Sequence, residues 1–507
     1  MARFRRMKWW TRTTGIFVAA SFAMIAFGSW SVASPIGASP DDDFHLASIW
    51  CGLGERPGLC EAAANEGERL VPPRAFQSSA CYAFKPEQSA ACTYPDDSDL
   101  MPTGRGNFVD NLYPPVFYGV MSLFASQDVG VSTIVMRLVN SAFFVGMITG
   151  VALLLPRDYR GVMVVAAAVT IVPLGMFIVP SVNPSSWAFT SAATLWVALV
   201  GYFQASNRRH EIALGALAIS AALLGAGARA DSAVYNGVAV VVAVLVAGRS
   251  IRKTARKLLV PLAIAVFSIA SFVSSGQASA EVAPVAGVWD FRSTALLLSS
   301  NIVRLPELWA GVFGTWSLGW FDTPMPGGVW VLTIAVFAGT VFAGFAVMFR
   351  RKAAAVGFVV FCLIFIPLVI LTRSQVRVGE YVQPRYFLPL MVLFAGVALI
   401  GVFGKRLQPT FAQTISAIGL LSIANAIALA LNIRRYVTGV DEVSPLLDNR
   451  VEWWWDGPIS PMGVWIIGTL AFTATLIALV LADRTAQFGD LDSTVSPIAL
   501  APQSRAR

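Results

Sequence analysis

Hydrophobic positions along this chain fall in long unbroken runs rather than in alternation. They lie at 13–33, 131–155, 161–180, 185–204, 211–228, 233–248, 258–275, 327–349, 353–372, 385–404, 410–431 and 461–482. The longest reach the ~20 residues a helix needs to cross about 30 Å of hydrocarbon. Hydrocarbon offers backbone N–H and C=O groups no partner, so a spanning segment must satisfy them within itself, as a helix does. Barrel strands would alternate apolar and polar residues, and these runs do not. The pattern predicts an all-α polytopic membrane protein with about 12 transmembrane helices.

The polar stretches complete the map. Residues 1–12 form an N-terminal stretch, 13–33 the first helix, 34–130 a large first loop, 131–275 helices 2–7, 276–326 a second loop, 327–482 helices 8–12 and 483–507 a tail with the composition of disorder. A third loop is expected at 432–460. No internal repeat of the kind found in two-half transporters is visible. The first run could also be a cleaved signal peptide, because Val32-Ala33-Ser34 is an acceptable cleavage site. It is longer than a signal core, which favours a retained helix.

Charge supports this reading. Only 13% of residues are charged and 56% are hydrophobic, where soluble domains carry about 25% charged residues. The net charge of +8 is unevenly spread. Arg3, Arg5, Arg6, Lys8 and Arg12 precede the first run, and basic residues recur in every second connection. The segments on that side hold 22 of the 37 basic residues and 5 of the 29 acidic ones. By the positive-inside rule that side is cytoplasmic, with both termini on it and the large loops outside. The basic excess is therefore topological, and nucleic acid is not an expected partner.

Four of the five cysteines, Cys51, Cys60, Cys81 and Cys92, lie in the first loop. On an oxidising face an even set reads as two disulfides. The local pairing Cys51–Cys60 with Cys81–Cys92 closes the shortest loops. No C-x-x-C spacing supports zinc.

The residues that could carry chemistry lie near the expected outer boundary. Just past the first helix comes Ser39-Pro40-Asp41-Asp42-Asp43-Phe44-His45. Adjacent carboxylates repel, so such a cluster needs a cation, a partner or solvent. Asp41 and Asp42 fit a general base or ligands of a divalent cation, for which oxygen donors suit Mg, Mn or Ca. An acidic helix cap with Asp41 at the start of a helix to Trp50 is the plainer alternative. His45, one of only two histidines, would share a helical face with Asp41 and Asp42. Asn111-Leu112-Tyr113-Pro114-Pro115 opens an apolar stretch too short to span, read as an interfacial helix with Tyr113 at headgroup level. Gly227-Ala228-Arg229-Ala230-Asp231 places an ion pair at the membrane edge. Arg373, Arg377 and Gln383-Pro384-Arg385-Tyr386 gather guanidiniums on the outer face, against the positive-inside trend. A phosphate ligand is one reason for them, because guanidinium offers two parallel donors; pairing with outer carboxylates is the other. Leu318-Gly319-Trp320-Phe321-Asp322-Thr323-Pro324 and Trp453-Trp454-Trp455-Asp456 are aromatic runs suited to sugar rings, lipid tails or an interfacial belt.

Taken in order, the Pro-Asp-acid-x-x-His motif, Tyr-Pro-Pro, Asn-Pro-Ser at 183–185, the Leu-Gly-Trp-x-Asp-Thr-Pro segment and Gln-x-Arg-Tyr at 383–386 resemble a family of bacterial multi-pass membrane proteins, domain of unknown function 2142, over residues 15–430. Asp42 stands where that pattern has Glu, and Pro384 where it has Gly. The family is in turn similar to the GT-C glycosyltransferases. That resemblance implies a GT-C-like fold in the bacterial plasma membrane and a polyprenyl-phosphate sugar as donor. It also implies a cell-wall glycan or glycolipid acceptor alongside membrane lipid. By it Asp41 or Asp42 is the general base, His45 orients the carboxylates or binds the acceptor, and Arg373, Arg377 and Arg385 hold the departing lipid phosphate. Tyr113, Arg229, Asp322, Gln383 and Tyr386 complete the substrate-binding set. A transporter or flippase of lipid-linked glycans and a non-catalytic envelope-assembly protein are the competing readings.

Overall fold

A computed structural model describes residues 12–92, 99–248, 255–276, 291–403 and 409–494 of the chain. Most of the N-terminal stretch, residues 495–507 of the tail, and the basic stretches 249–254 and 405–406 lie outside the described residues.

The first helix, α1 (Arg12–Val32), leads into a folded loop. This loop holds α2 (Asp42–Trp50), three short antiparallel strands, β1 (Glu61–Ala62), β2 (Arg69–Val71) and β3 (Met101–Thr103), and the short helices α3 (Pro73–Gln77), α4 (Asn107–Asp110) and α5 (Pro115–Ser122). The bundle continues with α6 (Val129–Leu154), α7 (Arg157–Thr170), α8 (Leu174–Ile178), α9 (Ser185–Gln204), α10 (Arg208–Ala228), α11 (Ala230–Ala247) and α12 (Leu259–Ser274). It closes with α13 (Phe291–Ala310), α14 (Gly327–Gly344), α15 (Arg350–Arg373), α16 (Leu388–Leu399), α17 (Phe411–Val437) and α18 (Pro461–Thr494).

Local chemistry sets several helix starts. The Asp128 carboxylate accepts the Val131 N–H at 2.8 Å and caps α6, satisfying a donor that the first turn leaves free. Thr410 and Gln413 form a reciprocal capping box on α17. Pro115 opens α5, where a missing N–H costs nothing.

The chain is an all-α polytopic membrane protein: among the described residues, ten helices are long and apolar enough to cross a membrane. The sequence pattern predicts about twelve, and the difference lies in two runs. The run at 161–180 is split into α7 and α8 at Pro173, which has no N–H to continue a helix. The run at 385–404 yields only the 12-residue α16, preceded by a 3-10 turn at Pro384–Tyr386 and ended near Gly401, whose φ of 85° stops a helix. Both pieces are interior. Every residue of α8, and all of α16 except Phe394, is buried. They pack in the bundle around α9, whose residues Ser185–Phe203 are all buried. By contrast, α12 exposes Leu259, Leu262, Val266, Ile269 and Val273, as a lipid-facing helix does.

Two expected loops are also corrected. The stretch 276–326 contains α13, which mixes exposed Arg304 and Glu307 with buried Leu305 and Leu308 and so does not read as a span. The helix α17 runs on to Val437, so Asn432, Arg435 and Tyr436 are helical and buried instead of belonging to a loop. The first loop sits on one end of the bundle, where Phe117 meets Trp187 edge-on at 5.1 Å. Disulfides join Cys51 to Cys60 and Cys81 to Cys92. Cys362 is a buried free thiol in α15.

Candidate functional site

The site forms where the acidic motif meets a turn more than 300 residues later in the chain. Ser39 to Asp41 make the elbow before α2. The elbow is held from behind. Arg137 of α6 donates to the carbonyls of Ser31, Ser34 and Pro35 at 2.6–2.8 Å. Asn183 donates to Ser39 Oγ at 3.2 Å and to the Pro40 carbonyl at 2.9 Å. Tyr82 and Trp320 donate to the carbonyls of Ile36 and Gly37 at 2.6 and 2.8 Å. Gly37 has φ of 82°, and a Cβ there would stand 3.2 Å from the Tyr82 hydroxyl, so glycine is required.

The three consecutive carboxylates diverge. Asp41 adopts left-handed backbone geometry (φ 63°, ψ 17°), unusual outside glycine and tolerated best by Asn and Asp. It occupies the cap position of α2 yet makes no side-chain cap bond. Its carboxylate instead meets the Arg385 guanidinium. Arg385 also donates to the Pro40 carbonyl at 3.0 Å and to the Tyr386 hydroxyl at 3.2 Å. Asp42 turns inward, fully buried, and accepts the Ser39 N–H at 3.0 Å, leaving its other oxygen unpartnered. Asp43 pairs with Arg105 at the surface.

Their protonation follows their surroundings. Burial opposes ionisation of Asp41, but the guanidiniums of Arg385 and Arg105 outweigh it and hold the carboxyl below its ordinary value. Burial pushes Asp42 up to about 7, against the pull of Arg137 and the Ser39 N–H. Burial pushes His45 down to about 3, opposed by Asp41 and reinforced by Arg385 and Arg229. His45 is thus a neutral ring. Its Nδ1 lies 2.9 Å from the Tyr118 hydroxyl, and its buried Nε2 has no partner.

Of the residues singled out from sequence, Asp41, Asp42, His45, Tyr113, Arg229, Arg385 and Tyr386 share one cluster. His45 lies edge-on to the Tyr113 ring at 5.3 Å. Arg229 lies 5.5 Å from the Tyr113 ring centre and 4.6 Å from that of Tyr386. Gln383 lines a shallow groove, open to solvent, together with Pro40, Arg385, Trp316, Phe321 and Phe177. Asp322 stands beside this cluster in a sealed pair with Arg435 at 2.7 Å. Arg373 and Arg377 are exposed and lie outside the cluster; the Arg377 backbone N–H bonds Glu380.

Arg435 and Arg137 were not anticipated from sequence. A signal exists: Arg137 and Asn140 fall one turn apart within an apolar run, and Asn432 and Arg435 fall one turn apart just after one. Such polar pairs on one face mark a buried contact.

Asp41, Asp42 and Asp43 point to three different partners, and among the described residues no three Asp, Glu, His or Cys side chains converge into an all-protein cage. A Mg ion held by one or two carboxylates draws the rest of its shell from water and substrate phosphate.

Residues 24–394 match the family described as "Predicted membrane protein (DUF2142)". The chain belongs to this family. No curated protein shows significant similarity to it.

Proposed function

We propose that this DUF2142 protein is a lipid-linked glycosyltransferase working at the outer face of the bacterial plasma membrane. It moves a sugar from a polyprenyl-phosphate donor to a cell-envelope glycan or glycolipid acceptor. The observation that carries this reading is the meeting of Asp41 with Arg385 across 344 positions of sequence, where Arg385 and Pro40, next to Asp41 in the chain, line a largely apolar groove.

The Asp41 side chain is one-third exposed, the most open of the paired acids near the groove, and stays ionised. It takes the proton of an acceptor hydroxyl as that oxygen attacks the anomeric carbon. The bond from that carbon to the phosphate oxygen breaks, and the phosphate leaves with the electron pair. Arg385 fixes the carboxylate beforehand, so little reorganisation is left for the transition state. Asp42 is sealed away and organises the elbow. The apolar wall of Phe177, Trp316 and Phe321 is suited to an isoprenoid tail.

The distribution of buried charge favours this over transport. Asp42, Arg137, Arg229, Arg385 and Arg435 cluster at the loop end, while Glu211 and Lys352 lie at the opposite end. A transporter needs ionisable groups near its midplane.

The test is sugar transfer by the purified chain in maltoside, offered a panel of polyprenyl-phosphate sugars and envelope acceptors. Transfer that disappears in Asp41→Asn supports the reading; an unchanged rate in that variant defeats it.

A further inference from the structure

Two buried guanidiniums flank one ring. Arg229 lies 4.6 Å and Arg385 5.2 Å from the centre of Tyr386. They come from opposite halves of the sequence, and like charges this close in a dry site repel. Each has one counter-ion. Asp231 grips Arg229 through Nε and Nη2 at 2.8 and 2.9 Å, and Asp41 holds Arg385. Each also retains an N–H with no partner, Nη1 of Arg229 and Nε of Arg385, although both residues are at most 3% exposed. A buried unmet guanidinium N–H costs free energy unless a ligand takes it. An ion pair serving only to join α10 to α11 would not explain the second guanidinium against the same ring.

We propose that Arg229 and Arg385 form a phosphate site gated by Asp41, taking a phosphomonoester most tightly when the Asp41 carboxylate is neutral. The idea rests on the glycosyltransferase reading for its sequence of events. While Asp41 is ionised, the four charges of the two pairs cancel. When Asp41 takes the acceptor proton, Arg385 loses its counter-ion. In the same step the sugar phosphodiester, with one negative charge, becomes a lipid phosphomonoester with up to two. The uncompensated guanidinium and the new negative charge appear together. The site is thereby matched to the leaving group and not to the intact donor, as catalysis requires. Arg229, not the exposed Arg373 and Arg377, is the second phosphate ligand.

The experiment measures binding, not transfer. A short isoprenyl monophosphate, inorganic phosphate, phosphatidylglycerol and a neutral isoprenol are titrated against the full chain in maltoside. Arg229→Gln should weaken monophosphate binding by about 10- to 100-fold, the worth of one charge-assisted hydrogen bond. Asp41→Asn should bind the monophosphate more tightly than the native chain, and Arg373→Gln should match it. Isoprenol should not respond to any of these changes. Preference for isoprenyl phosphate assigns the site to a lipid substrate and preference for inorganic phosphate to a free anion; both uphold the proposal if they depend on Arg229, whereas preference for phosphatidylglycerol, a phosphodiester, overturns it. Should Arg229→Gln fail to fold, Arg229→Lys, which keeps the pair with Asp231, must still weaken binding. Native affinity in a folded Arg229 variant, or weaker binding in Asp41→Asn, overturns the proposal. If binding behaves as expected but no sugar is ever transferred, the phosphate site stands and the enzyme reading falls.

Discussion

Two Asp–Arg pairs close the same end of this molecule, and they differ in everything but chemistry. Asp322 and Arg435 are sealed, at 1% and 0% side-chain exposure. Arg435 also donates to the carbonyls of Gln88 and Tyr82 at 2.6 and 2.8 Å and lies 5.1 Å from the Tyr436 ring centre. Gly319 lets the chain pass here, because a Cβ would stand 2.7 Å from the Tyr436 hydroxyl. In the other pair Arg385 is equally buried, but Asp41 is 34% exposed and sits on left-handed backbone. Arg435 of α17 holds the segment before α14 through Asp322, and the disulfide-bearing loop through the Tyr82 and Gln88 carbonyls. The second pair leaves its carboxylate in contact with water, beside the groove that Arg385 lines. On the proposed function, water access to the acid, not the pairing itself, separates the architectural ion pair from the reactive one.

The sharpest way to break this comparison is to neutralise each acid. Asp41→Asn keeps an oxygen for Arg385 but no longer accepts a proton. Turnover should fall by about 10²- to 10⁴-fold, the usual worth of a general base, while thermal unfolding changes by only about 1 kcal/mol, an ordinary hydrogen bond. A large stability loss with intact turnover would reverse the assignment of the two pairs.

Next in size is the sealed pair. Asp322→Ala strands a buried guanidinium and should cost about 3–5 kcal/mol of stability, seen as a lowered unfolding temperature. The double variant Asp322→Leu/Arg435→Met should recover much of that loss, since apolar replacement of a whole buried pair is often neutral. If the double variant is as unstable as the single one, the pair does more than hold α17 to the segment before α14.

Both pairs bear on what the sequence reveals. Membrane class was legible because hydrocarbon tolerates neither charge nor unpaired backbone, so continuous apolar runs leave helices as the only solution. The two runs that failed as long helices, 161–180 and 385–404, are as apolar as the rest. Apolarity reports burial but not whether lipid or protein does the burying; Pro173 barely changes the hydropathy of its run, and Pro384 stands just before the other. Asp41 and Arg385 were marked by motif and by charge against the topological trend. Arg373 and Arg377 carried the same mark, and only the three-dimensional path of the chain between Arg373 and Gln383 separates them from the cluster. Arg435 stayed hidden because it follows an apolar run, where a basic residue reads as a helix end; its partner Asp322 lies 113 positions away.

The buried neighbours of Asp41 sharpen the comparison through pH. Asp42 has a folded value near 7, raised above the ordinary 3.8. The folded chain therefore holds its proton more tightly than the unfolded chain, and Asp42 lowers stability as pH rises from about 4 to about 7. His45 is depressed from 6.5 to about 3, so the unfolded chain binds that proton better and stability rises with pH over roughly 3 to 6.5. The two slopes oppose each other in the native chain. Asp42→Asn should expose the rising slope and His45→Gln the falling one in unfolding temperatures measured from pH 4 to 7. Identical pH profiles in all three proteins would mean that neither group is as dry as its packing indicates.

The smallest effect belongs to a third pair, which extends the comparison to its limit. Asp43 and Arg105 also meet as carboxylate and guanidinium, but Arg105 is 54% exposed and Asp43 19%. Exposed pairs are worth about 0–1 kcal/mol, because solvent screens the attraction and ordering two side chains costs entropy. Arg105→Ala should therefore shift unfolding by less than about 1 kcal/mol, and the shift should shrink further at high salt, where the screening length falls to about 3 Å. Arg105 also helps to keep Asp41 ionised, behind Arg385. A modest change in the acid limb of the turnover profile, with little change in maximal rate, is thus expected from the same variant. If Arg105→Ala instead cost as much turnover as Asp41→Asn, exposure would not rank the three pairs, and the acidic motif would have to act as a unit instead of through one member.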